Sequence, residues 1–147
     1  MSYHVIETDV PARATVVVAA TTTWHGLPAL WKELLDEVWA YLRADGVDGG
    51  CRNVMLYLDG VPHVEVGVEL DRPGPLPGRI VASSLPGGRV AMTTHHGTYA
   101  DLGSAHQAVI DWCADHGHRR AGPRWEVYGP HDADPAKVWT EIYWLLA

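Results

Sequence analysis

Phenylalanine is absent from the sequence, cysteine occurs only at Cys51 and Cys113, and no stretch of the chain is strongly basic. Each absence removes a class of function. Without a basic footprint a protein cannot displace counterions from phosphates, so nucleic acid is not an expected partner. The 11 Lys and Arg are scattered and outnumbered by 18 Asp and Glu, for a formal net charge of −7, a balance that suits a cationic ligand. Two distant cysteines with neither CxxC nor Cys/His spacing predict free thiols in a reduced, cytoplasmic setting. The first residues, MSYHVIETDVPAR, lack the basic-then-apolar pattern of a secretory signal. No apolar run reaches the length needed to span a bilayer, so no membrane association is expected. Nine histidines are present, but His95-His96 and His116-Gly117-His118 offer no third ligand at a defined spacing. Neither a metal nor a cofactor is expected.

In place of Phe the chain carries seven Trp and six Tyr. These side chains combine a large apolar face with a polar handle, which suits either a densely packed core or an aromatic-lined pocket. The length fits one domain, 1–147, and that domain is written twice. Val10-Pro11-Ala12-Arg13 before Val16-Val17-Val18 resembles Leu85-Pro86-Gly87-Gly88 before Val90-Ala91-Met92. His25-Gly26 recurs as His96-Gly97 and Tyr57 as Tyr128, both 71 positions on. Such self-similarity points to two copies of one unit, with halves at about 1–72 and 78–147 joined by the Pro/Gly-rich segment 72–78.

Each half reads strand, helix, strand, strand. β-Branched runs over 15–23 and 89–95 open the halves. Leu27, Leu30, Leu34, Val38 and Tyr41, then Leu102, Ala105, Val109, Trp112 and His116, recur at helical spacing. Gly46 and Gly117 are helix stops. Short strands follow at 52–58 and 124–128. The expected fold class is α+β: duplicated βαββ units of the SHS2 type with pseudo-twofold symmetry, an antiparallel sheet with helices on one face, and a central ligand cleft.

The alternation in the segment 63–70 assigns its even, apolar positions to the helix side and His63, Glu65, Gly67 and Glu69 to the other. By the same logic Met55 and Tyr57, then Glu126, Tyr128, Trp139, Glu141 and Tyr143, are placed on that non-helix face. Carboxylates and rings meeting where two halves join describe a small-molecule cleft. Glutamates alternating with valines equally describe a solvated sheet face. Glu126, flanked by Trp125 and Val127, stands out because a carboxylate amid aromatic bulk is unfavourable unless paired, and cations stack well on such rings. Trp31, Leu35 and Trp39 form a second stripe on the first helix that serves equally as core or as pocket wall.

The segments Gly97-Thr98-Tyr99, Gly122-Pro123-Arg124-Trp125-Glu126-Val127-Tyr128 and Trp139-Thr140-Glu141-Ile142, in this order and on a duplicated frame, resemble the GyrI-like effector-binding family of the SOUL, or transcription-regulator effector-binding, superfamily. The resemblance covers almost the whole chain. It implies a cleft between the halves that admits bulky aromatic cations, read by a buried glutamate in a Glu-x-Tyr strand context matching Glu126 and Tyr128. Glu141 matches a second family glutamate on the last strand. Met55 departs from the pattern in offering Glu126 no partner carboxylate, as does the lack of Phe. Many relatives carry a helix-turn-helix, for which a chain starting at the first strand leaves no room.

Three functions follow from these residues. The first is a stand-alone multidrug-type binder, monomeric or weakly dimeric, of lipophilic aromatic and preferably cationic molecules. Its ligand residues would be Glu126, Tyr128, Glu141, Tyr143, Trp139, Tyr57, Met55, Glu65, Trp31 and Trp39, with drug resistance by sequestration. The second is a hydrolase opening strained rings of DNA-alkylating natural products, with Glu126, Glu141 and Tyr128 as its catalytic set. The third is a gyrase-inhibitor-like module that binds protein. The sequence does not separate binder from catalyst.

Overall fold

The computed structural model describes residues 2–147. The elements run β1 (Ile6–Val10), β2 (Arg13–Thr21), α1 (Leu27–Ala44), β3 (Asn53–Tyr57), β4 (His63–Glu69), β5 (Ile80–Leu85), β6 (Gly88–His96), α2 (Leu102–Asp115), β7 (Arg120–Tyr128) and β8 (Trp139–Leu146). Pro28 sits in the first turn of α1, where a missing N–H leaves no bond unmade. Gly46 and Gly117, just past the helix ends, have φ of +87° and +70°, the left-handed conformation that closes a helix with little strain.

All eight strands form one antiparallel sheet, in the order β1-β6-β8-β7-β3-β4-β2-β5. Both helices lie on one face. Leu34, Val38 and Leu42 of α1 pack on Val16, Val18, Val64, Val66 and Val68, while Ala105, Val109 and Cys113 of α2 pack on Ala91, Ile142 and Trp144. The class is α+β, as the pattern predicts. Each half, however, contains one more strand than the expected βαββ unit, because β1 and β5 are short and carry few buried residues. They are also exchanged. β1 pairs with β6 of the second half, and β5 with β2 of the first.

That exchange bends the sheet. β1 and β2 stand six strand spacings apart, roughly 29 Å on a flat sheet, yet only Pro11 and Ala12 join them. Three Cα–Cα steps reach at most about 11 Å. The sheet therefore curls until its ends approach, and the corner at Pro86-Gly87 crosses the one at Pro11-Ala12. A Cβ on Gly87 would stand 2.6 Å from the Ala12 nitrogen, so only glycine fits the crossing. The curl encloses a third apolar cluster on the face away from the helices, built from Val54, Leu56, Leu85, Val90, Trp125 and Val127.

This cluster corrects the expected faces of the central strands. Met55, Tyr57, Glu126 and Tyr128 point toward the helices, and Val54, Leu56, Trp125 and Val127 away from them. β3 and β7 are covered on both sides, so their apolar residues run without alternation and periodicity carries no facing signal. β3 and β7 meet at the centre of the sheet, with Met55 directly opposite Glu126. These two positions lie 71 apart in sequence, so the pseudo-twofold axis passes between them.

Candidate functional site

A cavity of about 640 Å³ opens between α1 and α2. Its floor is the β3–β7 seam, presenting Asn53, Met55, Tyr57, Arg124, Glu126 and Tyr128. One wall is Leu27, Pro28, Trp31 and Leu35 of α1. The other is Leu102, His106 and Ile110 of α2, with Trp24, Tyr99 and Trp144 completing the enclosure. The two helices pack on the sheet to either side of the seam, and the seam left uncovered between them is this floor.

Glu126 is 3% exposed and holds the centre of a hydrogen-bond cluster. Its Oε1 accepts from the Tyr57 hydroxyl at 3.2 Å and from the Tyr128 hydroxyl in a short bond. Its Oε2 lies 2.6 Å from Nε2 of His106. Tyr57 and Tyr128, the pair repeated 71 positions apart, thus converge on one oxygen. Both oxygens accept, the pattern of an ionised carboxyl. Burial, and then the charge of Glu126, push both tyrosine hydroxyls well above their usual range, which keeps them protonated as donors.

The second nitrogen of His106 identifies its tautomer. Nδ1 lies 3.0 Å from Nε1 of Trp144, and an indole N–H can only donate. Nδ1 therefore accepts, and Nε2 carries the hydrogen given to Glu126. An imidazole held this way brings no formal charge. Three neutral donors surround a buried carboxylate, and no Lys or Arg pairs with it among the described residues.

Rings cover the mouth. Trp24, 48% exposed, stacks on Tyr57 at 5.6 Å and anchors its indole N–H on the Gly60 carbonyl. The Arg124 guanidinium lies 5.3, 5.7 and 5.0 Å from the rings of Trp24, Tyr57 and Trp144.

Of the residues singled out in the sequence, Glu126, Tyr128, Tyr57, Met55 and Trp31 come together in this cavity. Trp39 stands behind it, donating to Asn53 Oδ1 at 2.7 Å. The remaining four do not reach it. Glu141 points from the opposite face and pairs with Arg52 at 3.4 Å. Tyr143 stacks on Trp125 on that face, Trp139 packs over Gly129 and under Arg52, and Glu65 accepts from Ser83. The sheet therefore separates Glu126 from Glu141, which were expected on one face. In the β7–β8 register Glu126 stands opposite Ile142 and Glu141 opposite Val127, so the two carboxylates point to opposite faces. His106, Trp144, Arg124 and Trp24 were not anticipated. Leu102, His106 and Ile110 recur every four residues beside the core stripe of α2, a signal of the same kind as the Trp31–Leu35 stripe.

Among the described residues no helix is long and apolar enough to cross a membrane. The family profile described as GyrI-like small molecule binding domain matches residues 3–147. The fold is shared with the EcmrR C-terminal domain, at 19% identity and a TM-score of 0.82 over 100% of this chain and 99% of that one. SAV2435, solved bound to tetraphenylphosphonium, is 14% identical with a TM-score of 0.67, covering 100% and 94%. A hydrolase encoded by lin2189 from Listeria innocua is 11% identical with a TM-score of 0.61, covering 97% and 91%. No curated protein sequence matches the chain.

Proposed function

The chain belongs to the GyrI-like small molecule binding domain family, and from that premise we propose that the cavity between α1 and α2 takes lipophilic aromatic molecules and prefers cationic ones. The observation that carries this reading is Glu126: a carboxylate 3% exposed, held by three neutral donors, beside a cavity lined with rings. Burying a charge is costly unless it is paired. Hydrogen bonds from Tyr57, Tyr128 and His106 offset part of that cost without cancelling the charge. A ligand cation would complete the pairing, and its aromatic groups would lie against Trp31, Tyr57 and Trp24. That SAV2435 was solved with tetraphenylphosphonium, an aromatic cation, supports the same ligand class.

A hydrolase would need a carboxylate oxygen free to deprotonate water. Both Glu126 oxygens are engaged and Glu141 is on the far face, which favours binding without turnover. Sequestration of several aromatic drugs follows as the biological role.

The test is a tryptophan-fluorescence titration with tetraphenylphosphonium and with neutral triphenylphosphine oxide, on wild type and Glu126→Gln. Loss of one charge-assisted contact should weaken the cation by about tenfold or more and leave the neutral ligand almost unchanged. Equal losses for both would overturn the charge reading. Product analysis after long incubation should return each ligand intact; conversion beyond one equivalent would make the protein an enzyme.

A further inference from the structure

A second concavity, a groove of about 570 Å³, adjoins the first and shares Ile110, Arg124 and Trp144 with it. Its remaining lining includes Arg119, Arg120 and His118, so its electrostatic character is opposite to that of the Glu126 cavity. The arginines here are unusual for this molecule. Of the arginines elsewhere, Arg13, Arg52, Arg72, Arg79 and Arg89 each pair with a carboxylate, and Arg43 lies over the Trp39 ring. Among the described residues Arg119, Arg120 and Arg124 form no such pair. His118 is engaged with Glu7 at 3.2 Å.

Two of these guanidiniums are held on one ring. Arg120 and Arg124 lie 5.1 and 5.0 Å from the Trp144 centroid, and Arg124 is further fixed by donating from Nη1 to the Gly122 carbonyl. Burial and the nearby Arg120 charge both act against the charge of Arg124, while Asp59, which Arg124 does feel, is held by His63. Two guanidiniums packed on one indole, with unused N–H donors and no carboxylate paired to them among the described residues, suit a carboxylate, sulfonate or phosphate. The groove meets the aromatic cavity at Arg124, two residues along β7 from Glu126 and so about 7 Å away in the strand direction.

We propose that the natural ligand is amphoteric: an aromatic body whose cationic group meets Glu126 and whose anionic group extends into the groove at Arg124 and Arg120. Its cationic half rests on the reading of Glu126 given above; its anionic half rests on the arginines alone. Trp144 joins the two, with its ring carrying both guanidiniums and its indole N–H fixing His106 against Glu126.

The experiment uses a xanthylium dye as its free carboxylic acid and as its ethyl ester, two aromatic cations that differ by one negative charge. Affinities are measured by fluorescence anisotropy on the full chain. Wild type should prefer the acid by about tenfold, and Arg120→Gln should bring the ratio of affinities close to one. Glu126→Gln should weaken both dyes together and preserve the ratio. A wild-type ratio of one, with both dyes still dependent on Glu126, overturns the anion site and leaves the cation reading standing. If neither dye responds to Glu126→Gln, the cation reading fails. The groove is then decided by anilinonaphthalene sulfonate, an anionic aromatic probe with no cation. Weakening by about tenfold in Arg120→Gln supports the arginine site, and an unchanged affinity overturns it.

Discussion

The indole N–H of Trp144 donates to Nδ1 of His106 across 3.0 Å, and this bond governs what His106 gives to Glu126. With Nδ1 committed as an acceptor, the imidazole donates once, from Nε2, and the carboxylate keeps its charge. Trp144→Phe retains the ring and removes the donor, so the imidazole is no longer held in the tautomer that donates from Nε2 to Glu126. The expected outcome is an affinity for tetraphenylphosphonium that falls by about fivefold relative to that for neutral triphenylphosphine oxide, read from titrations of both proteins with both ligands. An unchanged ratio of the two affinities would show that Trp144 does not set how His106 holds Glu126.

Both tyrosine hydroxyls hold the carboxylate. Hydrogen bonds to charged groups stabilise by about 1.5–3 kcal/mol, so Tyr57→Phe and Tyr128→Phe should each destabilise the fold within that range. Urea denaturation should show a lower midpoint with an unchanged slope. An unchanged midpoint in either variant would mean that its hydroxyl does not support the buried charge.

Alkali should unfold the protein through the same pair. In the fold the Tyr57 and Tyr128 hydroxyls are raised above the value of 10.0 they have when exposed, chiefly by burial and then by the Glu126 charge. A raised folded value means the stabilisation is complete below about pH 10 and is lost progressively above it. Tyr143 follows the same direction, pushed up to about 12 by burial and by Glu141. Tyrosinate absorbance should therefore lag behind that of free tyrosine and rise together with loss of circular dichroism. Full ionisation of all six tyrosines in a still-folded protein would contradict this.

Gly67 is the tightest backbone approach in the sheet. A Cβ there would stand 1.9 Å from the Val16 carbonyl oxygen and 2.8 Å from the Val17 Cα, both main-chain atoms that cannot turn aside. Gly67→Ala should destabilise by about 3 kcal/mol, while Gly49→Ala, with no atom within 4 Å of the new carbon, should be close to neutral. Thermal unfolding of the two variants checks the contrast, and equal midpoints would refute it.

Much of this was legible in the sequence, and the parts that were not share a cause. The helix stripes, the glycine stops and the 71-residue repeat gave both helices and the duplicated plan, and the same repeat aligned Tyr57 with Tyr128. The alternation in β4 correctly placed Glu65 and Glu69 away from the helices, because one side of that strand is apolar and the other is not. β3 and β7 gave no such signal. Val54-Met55-Leu56-Tyr57 is buried throughout, so extending the β4 phase to these strands put Glu126 on the wrong face and grouped it with Glu141. β1 and β5 were missed because exposed edge strands need little hydrophobic pattern. His106 was hidden for another reason: a polar residue in a helix reads as solvent-facing until the opposite wall is known.

The position of the pseudo-twofold axis has a consequence for how such a site arises. Two separate copies of one half, assembled as a strand-exchanged dimer, would place identical side chains on the axis: two carboxylates in lateral contact, repelling each other, or two thioethers with no charge at all. Joining the copies in one chain frees the two positions to diverge. Met55 and Glu126 are that divergence, one carboxylate on the axis with both symmetry-related tyrosines turned toward it. Fusion thereby makes available a singly charged, asymmetric receptor that no homodimer of this half can build.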